Sequence, residues 1–160
     1  MTVTKDCRIT TVESRRDFDA AVVLFREYES WARSCPCFSG FEKELAEISS
    51  RYSGQHGALW LVRDRNDNAR GVVGLSFQKD AVAELRRLWV SPAGRGQGLG
   101  EALVSIALAE ARARSSKVVL ETVPEQMVSA IRLYEDLGFL PLPRKEGETL
   151  RMEMVFSPQP

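Results

Sequence analysis

Residues 91 to 100 read Ser-Pro-Ala-Gly-Arg-Gly-Gln-Gly-Leu-Gly, with a glycine at every second position from Gly94 to Gly100. A stretch so bare of side chains, between a hydrophobic run and an alanine-rich segment, presents main-chain N–H groups at the mouth of a helix. Those N–H groups have no intrahelical partner and the helix dipole adds partial positive charge, so the turn is suited to phosphate. Glycine lets the chain approach an anion closely and adopt positive φ, and Arg95 adds a charge. Four glycines exceed the needs of a plain strand-to-helix connector, and each raises the entropy lost on ordering.

Spacing narrows the choice of phosphate. A dinucleotide fingerprint places glycines at i, i+2 and i+5; the third position is Leu99 counted from Gly94 and Glu101 counted from Gly96. A nucleoside triphosphate loop ends in Gly-Lys-Ser or Gly-Lys-Thr, where this chain has Leu99-Gly100-Glu101.

The elements that must position this loop follow from periodicity. Residues 7 to 12 read as a strand. A cap of the Ser14-to-Asp17 type opens a helix to about Arg33, with Phe18, Ala21, Val22 and Phe25 on one stripe. Phe41, Leu45 and Ile48 mark a second, shorter helix. The segments 57 to 64, 70 to 78 and 82 to 90 are rich in β-branched and aromatic residues and predict an antiparallel meander, with a turn at Arg65-Asn66-Asp67-Asn68-Ala69.

Leu99, Ala102, Leu103, Ile106 and Ala107 then recur at helical spacing. Residues 117 to 123 predict a strand, Glu125 to Leu137 a helix stopped by Gly138, and 149 to 156 a last strand. This order predicts an α/β fold: a mixed, mostly antiparallel sheet of six to seven strands, flanked on both faces by about four helices. The strands at 82 to 90 and 117 to 123 are joined through a helix and should run parallel, with the glycine loop at the C-terminal end of the first, where such sheets bind ligands.

A length of 160 residues with 44% hydrophobic content suits a single domain over residues 1 to 160. Lys plus Arg and Asp plus Glu each number 22, so no global field draws the chain to nucleic acid or an acidic membrane, and any anion site is local. The N-terminal residues carry no apolar signal region and no run approaches a membrane span, so a soluble, cytoplasmic protein is expected. The cysteines, Cys7, Cys35 and Cys37, are too few for a disulfide framework and read as free thiols of a reducing compartment. Cys35-Pro36-Cys37 with the single His56 lacks four spaced ligands, so no metal site is expected.

Arg95-Gly96-Gln97-Gly98-Leu99-Gly100 resembles the R/Q-x-x-G-x-G/A segment with which the GNAT superfamily of N-acetyltransferases holds the pyrophosphate of acetyl-CoA. Leu85-Arg86-Arg87-Leu88-Trp89-Val90-Ser91-Pro92 is similar to that family's central strand, and Ala130-Ile131-Arg132-Leu133-Tyr134-Glu135-Asp136-Leu137-Gly138-Phe139 to its A-x-x-L-Y-x-x-x-G-F segment. The resemblance covers about residues 57 to 142 and departs at Met127, where many members carry asparagine. It implies a GNAT-like three-layer fold with acetyl-CoA as co-substrate. The backbone of Leu88, Trp89 and Val90 would pair with the pantetheine arm like an added strand. Arg95, Gly96, Gln97, Gly98, Leu99 and Gly100 would surround the pyrophosphate.

The implied reaction is attack of a neutral amine on a thioester, and it needs a base, an oxyanion donor and an acid for the departing thiolate. The resemblance supplies a main-chain N–H near Val90 for the oxyanion and Tyr134 for the acid; the other reading of Tyr134 is a tyrosine packed with Leu133 and Leu137. Glu84 is the first choice of base, sharing a face with Leu88 and Val90 by alternation unless a bulge intervenes; the other reading is a surface pair with Arg86 or Arg87. Glu121 is the second choice.

In this fold the loop from about Tyr28 to Phe41 walls the acceptor pocket, so Trp31, Cys35, Cys37, Phe38 and Phe41 serve either acceptor recognition or the core. A small-molecule primary amine, such as an amino acid or amino sugar, is the favoured acceptor for a monomer or homodimer, with no nucleic acid and no membrane as partner. A peptide or protein amine, or a non-catalytic acyl-CoA-binding module, are the alternatives.

Overall fold

The computed structural model describes residues 2–4, 6–33 and 35–158. Its strands are β1 (Thr2–Thr4), β2 (Cys7–Thr11), β3 (Gly57–Asp64), β4 (Ala69–Phe77), β5 (Val82–Val90), β6 (Lys117–Thr122), β7 (Leu140–Pro141) and β8 (Leu150–Val155). They form one eight-stranded sheet in the order β1-β2-β3-β4-β5-β6-β8-β7. Among the described residues only β5 and β6 run parallel; every other neighbouring pair is antiparallel. The longer strands fall nearly at their expected bounds. The edge strands β1 and β7 have three and two residues, too few to leave an alternation in the sequence.

Helices cover both faces. α1 (Arg15–Ala32) starts where Ser14 Oγ accepts the Asp17 N–H at 3.1 Å, satisfying one of the orphan donors of the first turn. It buries Ala21, Leu24 and Phe25 against Leu59, Leu61 and Val72, on the same face as α2 (Phe41–Ala46) and α3 (Ile48–Arg51). The expected single helix after the cysteine loop is thus two, broken at Glu47, whose backbone leaves the helical region at φ −107° and ψ 15°.

α4 (Leu99–Arg114) and α5 (Val128–Leu137) cover the other face, where Leu103, Val104, Ala107 and Tyr134 pack on Val62, Val73, Leu75, Ala83 and Leu85. Because β3 and β4 bury both faces, they read as nearly continuous apolar runs. α5 begins later than Glu125 because the N–H groups of Gln126 and Met127 both turn back to the Val123 carbonyl, at 3.1 and 2.9 Å. It ends at Gly138, in the left-handed region at φ 107°, as the sequence predicts.

One irregularity shapes the functional end of the sheet. Val72 pairs with Trp89 and Gly74 with Arg86, so β5 carries an extra residue at Arg87 and Leu88, and Arg87 lies at φ 58°. A bulge of this kind bends the strand and inverts its alternation. Before it Ala83 and Leu85 face α4; after it Leu88 and Val90 do, and Trp89 faces α1. Glu84 therefore does not share a face with Leu88 and Val90, which corrects the expectation from simple alternation.

Candidate active site

β5 pairs with β6 at Val82, Ala83 and Glu84 and no further, although β6 continues to Thr122. The two strands part as β5 bends, leaving the side of β5 from Leu85 to Val90 without a strand partner among the described residues. β6 is held on its other side by β8 throughout. The wedge between them is where a ligand can add to the sheet edge.

At the mouth of the wedge stands the glycine loop, and its glycines have different reasons. Gly96 and Gly98 are left-handed, at φ 80° and 74°, and an added Cβ at either would meet open space. Gly94 is a packing glycine, since a Cβ there would come within 3.1 Å of Arg70 Cβ and 3.2 Å of Leu99 Cδ1. Gly100 lies on the first turn of α4 and faces a cavity of about 380 Å³. The first helical hydrogen bond runs from Ala102 N–H to the Gly98 carbonyl at 3.1 Å, so the N–H groups of Leu99, Gly100 and Glu101 have no intrahelical acceptor. These donors and the open glycine backbone fit a diphosphate, and the bare edge of β5 fits an extended arm with two amides.

Arg95 stacks its guanidinium 5.0 Å from the Trp89 ring and donates from Nε to the Val90 carbonyl at 3.2 Å. Leu99 is buried in the core, so its side chain is not available to a ligand, while Gln97 is exposed. The cavity beside Arg95 is lined mainly by apolar groups of Trp31, Leu88, Trp89, Val90, Met127 and Leu133.

A second cavity, of about 120 Å³, lies deeper in the wedge and brings Tyr134, Glu84 and Glu121 together with Tyr28, Cys37 and Thr122. The Tyr134 ring packs edge-on against Phe139 at 5.6 Å, and burial pushes its phenol well above the ordinary range, so it stands protonated. Tyr134 is thus a core ring that also forms part of the cavity wall. Glu84 accepts from Arg86 Nη1 at 2.9 Å and from Gln78 Nε2 at 2.7 Å, so the ion pair with Arg86 is also present. Glu121 accepts a hydrogen bond from the Thr149 hydroxyl and is exposed.

The two cavities share Tyr28, Leu88 and Met127. Where the family's asparagine would be, the Met127 thioether accepts the Tyr28 hydroxyl at 3.4 Å and the Thr122 hydroxyl at 3.2 Å. Tyr28, expected only as the start of the segment that walls the acceptor, lines both cavities. Of the aromatic and cysteine residues expected to wall an acceptor, only Cys37 reaches the deeper cavity. Phe41 is core, Phe38 packs edge-on against Tyr28 and Phe41, and Trp31 is 47% exposed on the other cavity.

Cys35 and Cys37 are disulfide-bonded, not free thiols; the turn at Pro36–Phe38 brings their Cα atoms to 5.2 Å, within bridging range. Cys7 is the free thiol and is buried.

Glu44 was not foreseen. It is buried on α2 and accepts from Arg87 Nη2 at 2.8 Å, Arg87 Nε at 3.0 Å, Arg86 Nη2 at 3.0 Å and the Tyr52 hydroxyl at 2.9 Å. Burial alone would push this carboxyl up. The hydrogen bonds and charge of Arg87, with the charge of Arg86, outweigh burial and hold it below the ordinary value. The same guanidinium of Arg87 reaches the Cys37 carbonyl at 3.0 Å and lies 4.4 Å from the Phe38 ring centroid. The left-handed bulge is thus anchored to α2 and to the cysteine loop.

Residues 24–139 match the acetyltransferase (GNAT) family. The chain is a GNAT N-acetyltransferase. It is 32% identical over 133 residues to an uncharacterized N-acetyltransferase of Schizosaccharomyces pombe, covering 82% of this chain and 81% of that one. It is 43% identical over 147 residues to the mycothiol acetyltransferase of Thermobispora bispora, covering 82% of this chain but 46% of that one. The GNAT chain spans about half the length of several other curated relatives it matches. The Vibrio cholerae spermidine N-acetyltransferase, solved with CoA and spermine, has the same fold, with a TM-score of 0.70, 20% identity and coverage of 95% and 96% of the two chains. No helix among the described residues is long and apolar enough to cross a membrane.

Proposed function

We propose that this GNAT chain moves the acetyl group of acetyl-CoA to the primary amine of a small molecule by direct attack on the thioester. The observation that carries the reading is the wedge itself. One continuous path runs from the N–H groups of α4, along the unpaired edge of β5, to a cavity lined by two phenols and two carboxylates. The backbone of Leu88, Trp89 and Val90 takes the pantetheine arm, and Gly96 to Gly100 with Arg95 take the diphosphate. A main-chain N–H near Val90 faces the oxyanion, and Tyr134 protonates the leaving sulfur.

Glu84 takes the proton of the incoming ammonium, directly or through water, and Glu121 stands second. The small volume of the deeper cavity, about 120 Å³, favours the amine end of a compact acceptor such as an amino acid or amino sugar. Relatives named for mycothiol and for spermidine, both small molecules, support the same class.

The direct test is free-thiol release from acetyl-CoA with a panel of small primary amines and of peptides. Turnover confined to peptides overturns the small-molecule acceptor, and tight acetyl-CoA binding with no turnover on any amine marks a binding module. Two variants test the parts. Gly98→Asp places a carboxylate where the diphosphate lies, at a site with open space for the side chain. Acetyl-CoA affinity measured by calorimetry should fall at least ~10-fold in a folded protein; unchanged affinity removes the loop from the site. Glu84→Gln should depress the rate at neutral pH and recover toward wild type at alkaline pH, where the free amine is abundant. A pH profile that overlays wild type transfers the role to Glu121.

A further inference from the structure

Tyr28 is the polar residue best placed where the two cavities meet, and no step above uses it. Its ring is locked: Trp89 stacks on it at 5.3 Å with planes 9° apart, and Phe38 meets it edge-on at 5.1 Å and 88°. The ring position therefore belongs to the last residues of β5, the level at which the oxyanion donor near Val90 is expected. Among the described residues its hydroxyl donates to the Met127 sulfur alone, at 3.4 Å. A thioether is a weak acceptor, so a partly buried phenol bonded to one has most of its donor strength still to use. A methionine at position 127, where a side-chain amide is common in the family, adds no competing strong acceptor.

We propose that Tyr28 is a catalytic residue, its hydroxyl turning from Met127 to the thioester carbonyl oxygen as a second donor beside the main-chain N–H. This rests on the acetyl-CoA reading above. The chemistry is a hydrogen bond that strengthens as the carbonyl oxygen gains negative charge in the tetrahedral intermediate; no proton need leave the phenol, and no further reactant is involved. Burial pushes the Tyr28 phenol up, which keeps the proton in place at neutral pH. The role is separate from that of Tyr134, which serves the sulfur.

The test uses the Tyr28→Phe protein, which keeps the ring and its stack on Trp89, and acetyl-CoA labelled with carbon-13 at the thioester carbonyl. In the wild-type complex, without acceptor, the carbonyl resonance should lie downfield of free acetyl-CoA, and Tyr28→Phe should lose a resolvable part of that displacement. Acetyl-CoA affinity should change less than ~3-fold, and the maximal rate with an amine should fall at least ~10-fold. A variant whose bound carbonyl resonates where the wild type's does overturns the proposal, whatever its rate. So does a wild-type resonance at the free position. Failure of wild type to bind acetyl-CoA at all would instead remove the cofactor reading and this role together, so the two failures are told apart.

Discussion

Tyr134→Phe is expected to lower the maximal rate ~10²-fold or more while leaving acetyl-CoA affinity and thermal stability nearly unchanged. The substitution deletes one oxygen and keeps the ring that packs on Phe139 within the larger core. Nothing in the packing is opened, so a loss of rate cannot be assigned to a loosened helix. The departing group is a thiolate whose parent thiol has an ordinary pKa of about 8.5, and an ordinary phenol has one of about 10. In water the transfer would be uphill. In the wedge, burial raises the cost of both anions, and the transfer is useful only where the thiolate, formed in a dry site, is penalised at least as much as the phenolate and the phenol reaches the sulfur as charge develops there. Single-turnover mixing separates this step from product release. A Tyr134→Phe protein with the wild-type chemical rate would leave the residue as a core tyrosine only.

The fold was largely legible because its signals are periodic. The stripe of α1, the β-branched and aromatic runs of β3 to β5 and the stop at Gly138 are local patterns, and the structure follows them. The glycine loop was legible for a different reason: its lack of side chains from Gly94 to Gly100 predicts a turn that opens a helix with bare main-chain N–H groups, and that is the geometry found. What escaped was set by tertiary contacts. The bulge at Arg87 has no glycine or proline to announce it, and its left-handed backbone is held by an acceptor that comes from α2. Missing the bulge put Glu84 on the wrong face. Glu44 sits in an exposed-looking helix sequence, Phe-Glu-Lys-Glu-Leu-Ala, where only the neighbouring strand makes it a buried ion. The Cys35–Cys37 bond depends on a turn geometry that a count of cysteines does not contain.

The other large effect is on stability. Glu44→Ala is expected to destabilise the protein by about 3–5 kcal/mol, since it leaves the Arg87 guanidinium buried without its counter-charge. The side chains of Glu44 and Arg87 are 2% and 5% exposed, so water cannot replace the lost acceptor, and the Tyr52 hydroxyl loses its partner too. Denaturant melts should show the shift in midpoint with little change in slope. The folded-state carboxyl is held below its unfolded value, so its stabilising share is complete above the ordinary carboxylate range and is lost as pH falls through the lowered folded value. Wild type should therefore lose stability on acidification more steeply than Glu44→Ala, and the two curves should converge at low pH. Parallel curves would mean that the carboxylate is not what holds Arg87. Because Arg87 carries the bulge that opens the wedge and also lines the deeper cavity, variants of this pair should lose acetyl-CoA affinity along with stability.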